Sequence, residues 1–303
     1  MDGLRELGFE VKVFEGDMSL LKELAGFIPP DPRRGSPGGL VLNLGTGVQG
    51  EGRLVHIPAM LEMAGVPYTG PGPVAHARLS DRYSMLNVLD HAAVPVVRHC
   101  LVTQSRQGVD LGYPLVARPQ FEPDARRIVA RNPGELQEAV SQIRRSHDQP
   151  VLVEEIVLGR RIHASVLGNG TPECRPLVDH VPGEKTKTGP SQLDAEQATR
   201  IRESALEAFA AAGCRDYARI DFRISRFGEP VVVDVKWVDM FSRRGSFVVA
   251  AETAGYDFPS LMHRIIEEAA KRYASVPAAQ AGTEDGGDGS SVVSLAERRA
   301  TVK

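Results

Sequence analysis

Apolar residues along the chain fall into short alternating or continuous runs, separated by stretches with helical spacing. Residues 2–8 read as the end of a helix closed by Gly8, and Phe9-Glu10-Val11-Lys12-Val13-Phe14 then alternates with period two, the pattern of a half-buried strand. Leu40-Val41-Leu42-Asn43-Leu44 reads as a buried strand that runs into the glycine-rich turn 45–52. From His56 to Ala64 the apolar spacing is helical and stops at Gly65, before Val66-Pro67-Tyr68-Thr69-Gly70-Pro71. Strands alternating with helices predict an open α/β unit over residues 1–78.

The pattern then becomes α+β. A central unit over 79–168 is expected to hold a helix, a strand near 97–103, the strand 114–119, a helix over 134–146, the strand 151–155, and the alternating strand Ile162 to Leu167. A third unit over 169–276 contains a helix that Asp194 caps, with Ile201, Ala205 and Phe209 at four-residue intervals up to Gly213. Two strands follow, then an amphipathic helix with Leu261, Ile265, Ala269 and Tyr273 on one face. Pro277 to Ser291 is small, polar and glycine-rich, so 277–303 is expected to be a disordered tail, with a helical turn or contact peptide at 295–299 as the alternative.

Composition narrows the function classes. With 303 residues, 42% hydrophobic and 25% charged, the chain has the make-up of a soluble globular protein that builds a core without staples. A net charge of -3 and a pI near 6.3 give no basic footprint for nucleic acid or an anionic membrane. Cys100, Cys174 and Cys214 lack zinc-ligand spacing and read as reduced structural thiols. Neither a secretory leader pattern nor a membrane-length apolar run is present, so a cytoplasmic location is expected.

The most informative stretch is Ala218-Arg219-Ile220-Asp221-Phe222-Arg223-Ile224, a turn at Phe227-Gly228, and Val231-Val232-Val233-Asp234-Val235-Lys236. Period two puts Arg219, Asp221 and Arg223 on one face and Ile220, Phe222 and Ile224 on the other. A hairpin centred between Phe227 and Gly228 sets Asp221 opposite Asp234 and Arg219 opposite Lys236. Two facing carboxylates repel, and a bound Mg2+ with a nucleotide's phosphates would remove the conflict. The alternative is that Arg219 and Lys236 neutralise the aspartates diagonally and no metal is involved. The residues alone leave both open.

Arg-Ile-Asp followed by an acidic strand resembles the C-terminal ATP-grasp subdomain of the D-alanine–D-alanine ligases. Other segments agree in order: 57–62 through 66–71 is similar to the family's helix and Pro-Tyr-Thr-Gly turn, 113–119 to its nucleotide-lysine strand, and 153–159 to its adenine-binding linker. The resemblance spans roughly residues 1 to 273. It implies an ATP-grasp fold behind an N-terminal open α/β domain, with the chain starting inside the family's first helix and lacking its first strand and glycine loop. It also implies an ATP-dependent carboxylate–amine ligase that forms a dipeptide or related amide through an acyl phosphate. The implied cofactors are ATP and Mg2+, and the implied partners are amino-acid or carboxylate substrates and a second copy of the chain.

Carried over by position, Asp221 and Asp234 match the metal ligands and Arg219 the catalytic arginine that stabilises the oxyanion. Glu154, Glu155 and Val157 match the adenine linker, while Arg82 and Arg118 stand where the family has two phosphate lysines. Other positions depart further. Arg161 replaces the glutamate expected to hold the ribose, and Lys236 replaces a metal-binding asparagine although an ammonium cannot ligate a cation. The segment 237–242 lacks the family's Pro-Gly turn, and the loop 120–124 has no glycine. Lys185 and Lys187 lie near the substrate-covering loop, as compensating phosphate lysines or as part of a flexible polar loop. These departures keep a second expectation in play, a non-catalytic member that binds nucleotide or a partner.

Overall fold

The structure is a computed structural model that describes residues 2–28, 38–104, 108–121, 127–181, 187–237, 241–242, 244–274 and 299–302. The N-terminal part contains α1 (Asp2–Glu6), β1 (Glu10–Lys12), α2 (Leu20–Ala25), β2 (Leu40–Leu42) and α3 (Arg53–Met63), followed by α4 (Pro73–Ser80) and α5 (Arg82–His91). Next come β3 (His99–Val102), β4 (Leu115–Pro119), β5 (Ile128–Ala130), α6 (Pro133–His147) and β6 (Val151–Glu155). The remainder is β7 (Arg161–Leu167), β8 (Glu173–Cys174), β9 (Val178–Val181), β10 (Lys187–Pro190), α7 (Ala195–Ala211), β11 (Tyr217–Ile224), β12 (Pro230–Lys236), α8 (Ser246–Thr253), α9 (Phe258–Ala274) and β13 (Arg299–Val302).

Three sheets result. The first is parallel with order β1-β13-β2, the second is antiparallel with order β3-β6-β4-β5, and the third is antiparallel with order β10-β9-β7-β11-β12, with β8 on β7. Placing 277–303 wholly in a disordered tail is therefore corrected for its end. Arg299–Val302 pairs with β1 on one side and β2 on the other, as the middle strand of the N-terminal sheet. The physical reason is that β1 and β2 each present an unpaired edge, and the short Ala-Thr-Val run is β-prone despite its polar approach. Residues 275–298, including the contact-peptide alternative, lie outside the described residues except for Arg299 itself.

The cores show why the helices sit where they do. Leu40 and Leu42 of β2 join α8 and α9 in one cluster, whereas Val41, between them, faces α2, α3 and Tyr68. Thus α9, read as the end of the third unit, covers the N-terminal sheet with Leu261, Ile265 and Ala269, and the hydroxyl of Tyr273 on the same face accepts from the Tyr68 amide at 3.1 Å. Helix α5 also changes allegiance: Met85, Leu86 and Leu89 pack beneath β7, β11 and β12 with α7, so the second sheet keeps its own core only from Val102 to Val153. Helix α4 runs through the boundary expected at 78. Helix α8 has no signature in the sequence because Phe247, Val248, Ala250 and Ala251 are all buried, leaving no polar stripe for a helical period.

Two buried polar nodes tie the parts together. The carboxylate of Asp216, fully buried just before β11, accepts from Arg272 at 2.7 and 2.8 Å, the Gly70 amide at 2.7 Å and Asn169 at 2.8 Å. Across the molecule, Trp237 donates its indole N–H to Nδ1 of buried His76 on α4 at 3.0 Å. Burial, with Arg215 nearby, pulls the His76 pKa down to about 4, and a proton on Nδ1 would meet the indole hydrogen. The three cysteines are unpaired thiols, and burial pushes Cys174 up to about 11 and Cys214 to about 12, which keeps them protonated. No helix among the described residues is long and apolar enough to cross a membrane.

Two stability predictions follow from these nodes. Asp216→Ala strands the Arg272 guanidinium and should cost about 3–5 kcal/mol in urea unfolding. For His76, the unfolded state binds the proton first, so its contribution is complete above pH 6.5 and lost as pH falls toward 4. That contribution is on the order of 3 kcal/mol. His76→Gln should flatten the measured stability profile across that window.

Candidate functional site

Site geometry comes from the β11–β12 hairpin and its neighbour β7. The turn is a three-residue loop in which Gly228, at φ 81°, sends its amide to the Ser225 carbonyl at 3.0 Å, while the Ser225 amide bonds the Glu229 carbonyl at 2.8 Å. Partners near the turn are therefore centred on Phe227, from Ile224 opposite Pro230 to Phe222 opposite Val232. A bulge at Val233 then shifts the ladder by one residue, and beyond it Asp221 faces Asp234 and Arg219 faces Lys236. The pairing is the expected one, reached through a different turn and a compensating bulge. Val232 and Val235 point into the core with Val233 and Asp234 between them, the burial signature of that extra residue.

On the polar face the strands build rows. Arg161 of β7 opposes Arg223, His163 opposes Asp221, and Ser165 opposes Arg219. Arg219 holds the Asp221 carboxylate with two hydrogen bonds, Nε to Oδ1 at 2.6 Å and Nη2 to Oδ2 at 3.0 Å. Lys236 Nζ lies 3.2 Å from Asp234 Oδ2. Arg219 and Lys236 thus each pair with the aspartate two positions away on their own strand, not diagonally. Burial alone would raise the Asp234 pKa, but Arg82, Lys236 and Arg118 outweigh it and hold the carboxyl below its ordinary range. Arg161 and Arg223 are like charges directly opposed, and burial with Arg161 and Arg127 close by lowers the Arg223 pKa.

The second sheet supplies the facing wall. Asp81 caps α5 by accepting from the Tyr83 amide at 3.1 Å and also accepts from Gln120 at 3.0 Å, so Arg82 opens the helix facing β6. Its guanidinium binds Glu154 through Nε at 2.9 Å and Nη2 at 2.7 Å, reaches Asp234 through Nη1 at 3.0 Å, and donates to the carbonyl of bulged Val233. Burial opposes the charge, but Glu154 and Asp234 more than compensate and raise the Arg82 pKa. Arg118 approaches the same glutamate at 3.4 Å without hydrogen-bond alignment, and burial together with Arg82 lowers its pKa to about 10.

Of the residues singled out in the sequence, Arg82, Arg118, Glu154, Asp234, Asp221, Arg219 and Lys236 form one connected set. Arg82 is committed to two carboxylates, whereas Arg118 keeps its Nη groups without a hydrogen bond among the described residues. Glu155 stands apart, bonded to Arg98 at 2.8 Å and the Gly112 amide at 2.7 Å. Val157 packs on the third-sheet core, and its main-chain groups have no partner among the described residues. Lys187 is in β10, and Lys185 lies outside the described residues, as do 122–124 of the loop without glycine and 238–240.

Three residues of this face were missed. His163 and His180 stack with ring centroids 4.8 Å apart, and Ser246, the first residue of α8, lies 2.7 Å from His163 Nδ1 and accepts from Arg219 Nη1 at 3.3 Å. Period two on β7 already puts His163 with Arg161, whereas nothing local points to Ser246.

A family model described as "D-ala D-ala ligase C-terminus" matches residues 101–267. The uncharacterized protein y4sG of Sinorhizobium fredii is 36% identical over 289 residues, covering 89% of this chain and 86% of that protein. The D-alanine–D-alanine ligase of Desulforamulus reducens is 28% identical over 236 residues, covering 70% of this chain and 75% of the relative. Among solved structures, the D-alanine–D-alanine ligase of Coxiella burnetii superposes with a TM-score of 0.67 at 22% identity, over 78% of this chain and 70% of that one. The Bacillus anthracis ligase complexed with ATP gives 0.64 at 21%, over 73% and 75%. These likenesses identify the fold as ATP-grasp.

Glu154→Gln leaves Arg82 and Arg118 facing each other across a neutral amide. It should lower stability by about 3–5 kcal/mol, measured by denaturant unfolding, with partial recovery when Arg118→Met is added.

Proposed function

The chain belongs to the D-alanine–D-alanine ligase family of ATP-grasp proteins, and from that premise we propose that it is an ATP-dependent carboxylate–amine ligase. Its product would be a dipeptide or related amide, formed through an acyl phosphate. The observation that carries this reading is the Arg219–Asp221 pair on the polar face of β11, directly opposite Asp234.

The residues divide the work by what they have free. Arg118 offers its Nη groups to a phosphate from the second sheet, and the main chain at Val157, without a partner among the described residues, suits the edge of a purine. Arg82 holds Glu154 and Asp234 in place and acts through them. Glu155 fixes the start of the linker through Arg98 and Gly112. Arg219 donates toward the face on which negative charge develops as the amine adds to the activated carboxyl, a positioning and charge-neutralising role.

A divalent cation would supply charge neutralisation on the transferring phosphoryl group. Asp221 suits one, because a carboxylate has about four lone-pair sites and Arg219 occupies two. Asp234 suits it poorly, because three of its sites are taken, Oδ1 by Arg82 and the Val235 amide and Oδ2 by Lys236. That coverage favours the second reading, a member that binds nucleotide without turnover.

The discriminating experiment incubates the full chain with ATP, Mg2+ and a panel of amino acids that includes D-alanine, with release of inorganic phosphate as readout. The ligase reading expects release that depends on an acceptor. Nucleotide binding without release for any acceptor would sink it in favour of the second reading. Lys236→Asn should strengthen Mg-nucleotide binding about tenfold in calorimetry, equivalent to ~1.4 kcal/mol, by uncovering Asp234. An unchanged Kd would show that Lys236 does not compete with the cation.

A further inference from the structure

We propose that His163 and Asp221 form a mixed nitrogen–oxygen cation site, held in shape by Ser246, that takes a first-row divalent transition ion in preference to Mg2+. The proposal deepens the reading of this face as a nucleotide site and names the ion it selects.

His163 stands directly opposite Asp221 in the β7–β11 ladder, and its side chain is only 4% exposed. Its Nε2 atom is buried with no hydrogen-bond partner among the described residues, a costly state for a polar atom in a packed interior. The atom lies 3.7 Å from Asp221 Oδ1. That separation is too long for a hydrogen bond. It does match two ligands on one ion, since bonds of about 2.1 Å each place their donor atoms up to ~4.2 Å apart.

The other ring nitrogen fits the same reading. Nδ1 lies 2.7 Å from Ser246 Oγ, which also accepts from Arg219. When Nδ1 donates to that hydroxyl, the lone pair of Nε2 is left facing Asp221, the arrangement by which outer partners fix a metal-bound imidazole. The stacked ring of His180 fixes the plane of His163.

Among the described residues no three His, Cys, Asp or Glu side chains converge on one point, so the protein supplies two ligands and phosphate or water the rest. Asp234 is excluded as a third by its ties to Arg82 and Lys236. An imidazole nitrogen in the shell disfavours Mg2+, which takes oxygen ligands, and favours transition ions.

Mn2+ is a stringent probe, since it binds most weakly of the first-row series. We would titrate Mn2+ and Mg2+ into the full chain, with and without a non-hydrolysable ATP analogue, and record pulsed electron paramagnetic resonance of bound Mn2+ on protein carrying either natural or 15N-labelled histidine. The expected result is a histidine nitrogen coupling that changes with the label, and half-saturation by Mn2+ at a concentration about tenfold below that of Mg2+. His163→Gln should abolish the coupling and weaken Mn2+ alone, and Ser246→Ala should keep it while weakening Mn2+ about tenfold. Bound Mn2+ without the coupling, or no bound Mn2+, overturns the proposal, and the wild-type spectrum decides this even where a variant misfolds. Calorimetry of Mg-ATP binding separates the two readings. Nucleotide that binds where the coupling is missing leaves the proposed function standing, and the coupling without nucleotide binding supports the metal site while counting against that function.

Discussion

The guanidinium of Arg82 sets the arrangement of the cleft. A buried cation is stable only with carboxylates close by, and Arg82 takes one from each sheet, Glu154 of β6 and Asp234 of β12. Because three fixed points hold it, including the carbonyl of bulged Val233, it couples the position of the second sheet to the register of the third. Removing either carboxylate leaves the buried Arg82 guanidinium short of compensation, so these residues behave as one unit.

The same clamp makes the two facing aspartates unequal. Asp234 accepts from Arg82, the Val235 amide and Lys236, while Asp221 accepts only the two bonds of Arg219 among the described residues and still faces Nε2 of His163. Asp221 is the member of the pair still able to receive a ligand. The bulge at Val233 matters twice, since it restores the Asp221–Asp234 pairing and turns a carbonyl toward Arg82.

Some features of the packing were not legible in the sequence, for identifiable reasons. The third-unit helix α9 packs on the first sheet, and α5 packs beneath the third, because an amphipathic stripe states that a helix has a buried face and not which sheet buries it. Helix α8 is buried too completely to show a stripe, and with it went Ser246. Strand β13 escaped notice since its partners are nearly the whole chain away and its side of the pairing carries no local pattern.

The opposition of Asp221 to Asp234 needed the bulge at Val233, and local alternation by itself determined only the polar face of β11 and the capped helix that Asp194 begins. Those two features depend on neighbours within a few residues, where spacing and stereochemistry suffice. The ordered likeness of segments pointed to the family before any fold was known. Only the tertiary structure decided that Arg82 is spent on carboxylates, that Glu154 is buried between two arginines, and that His163 keeps one nitrogen bare beside Asp221. Each of these depends on which charged groups from distant segments meet in a space that excludes water, and pairing of that kind leaves no period in a sequence.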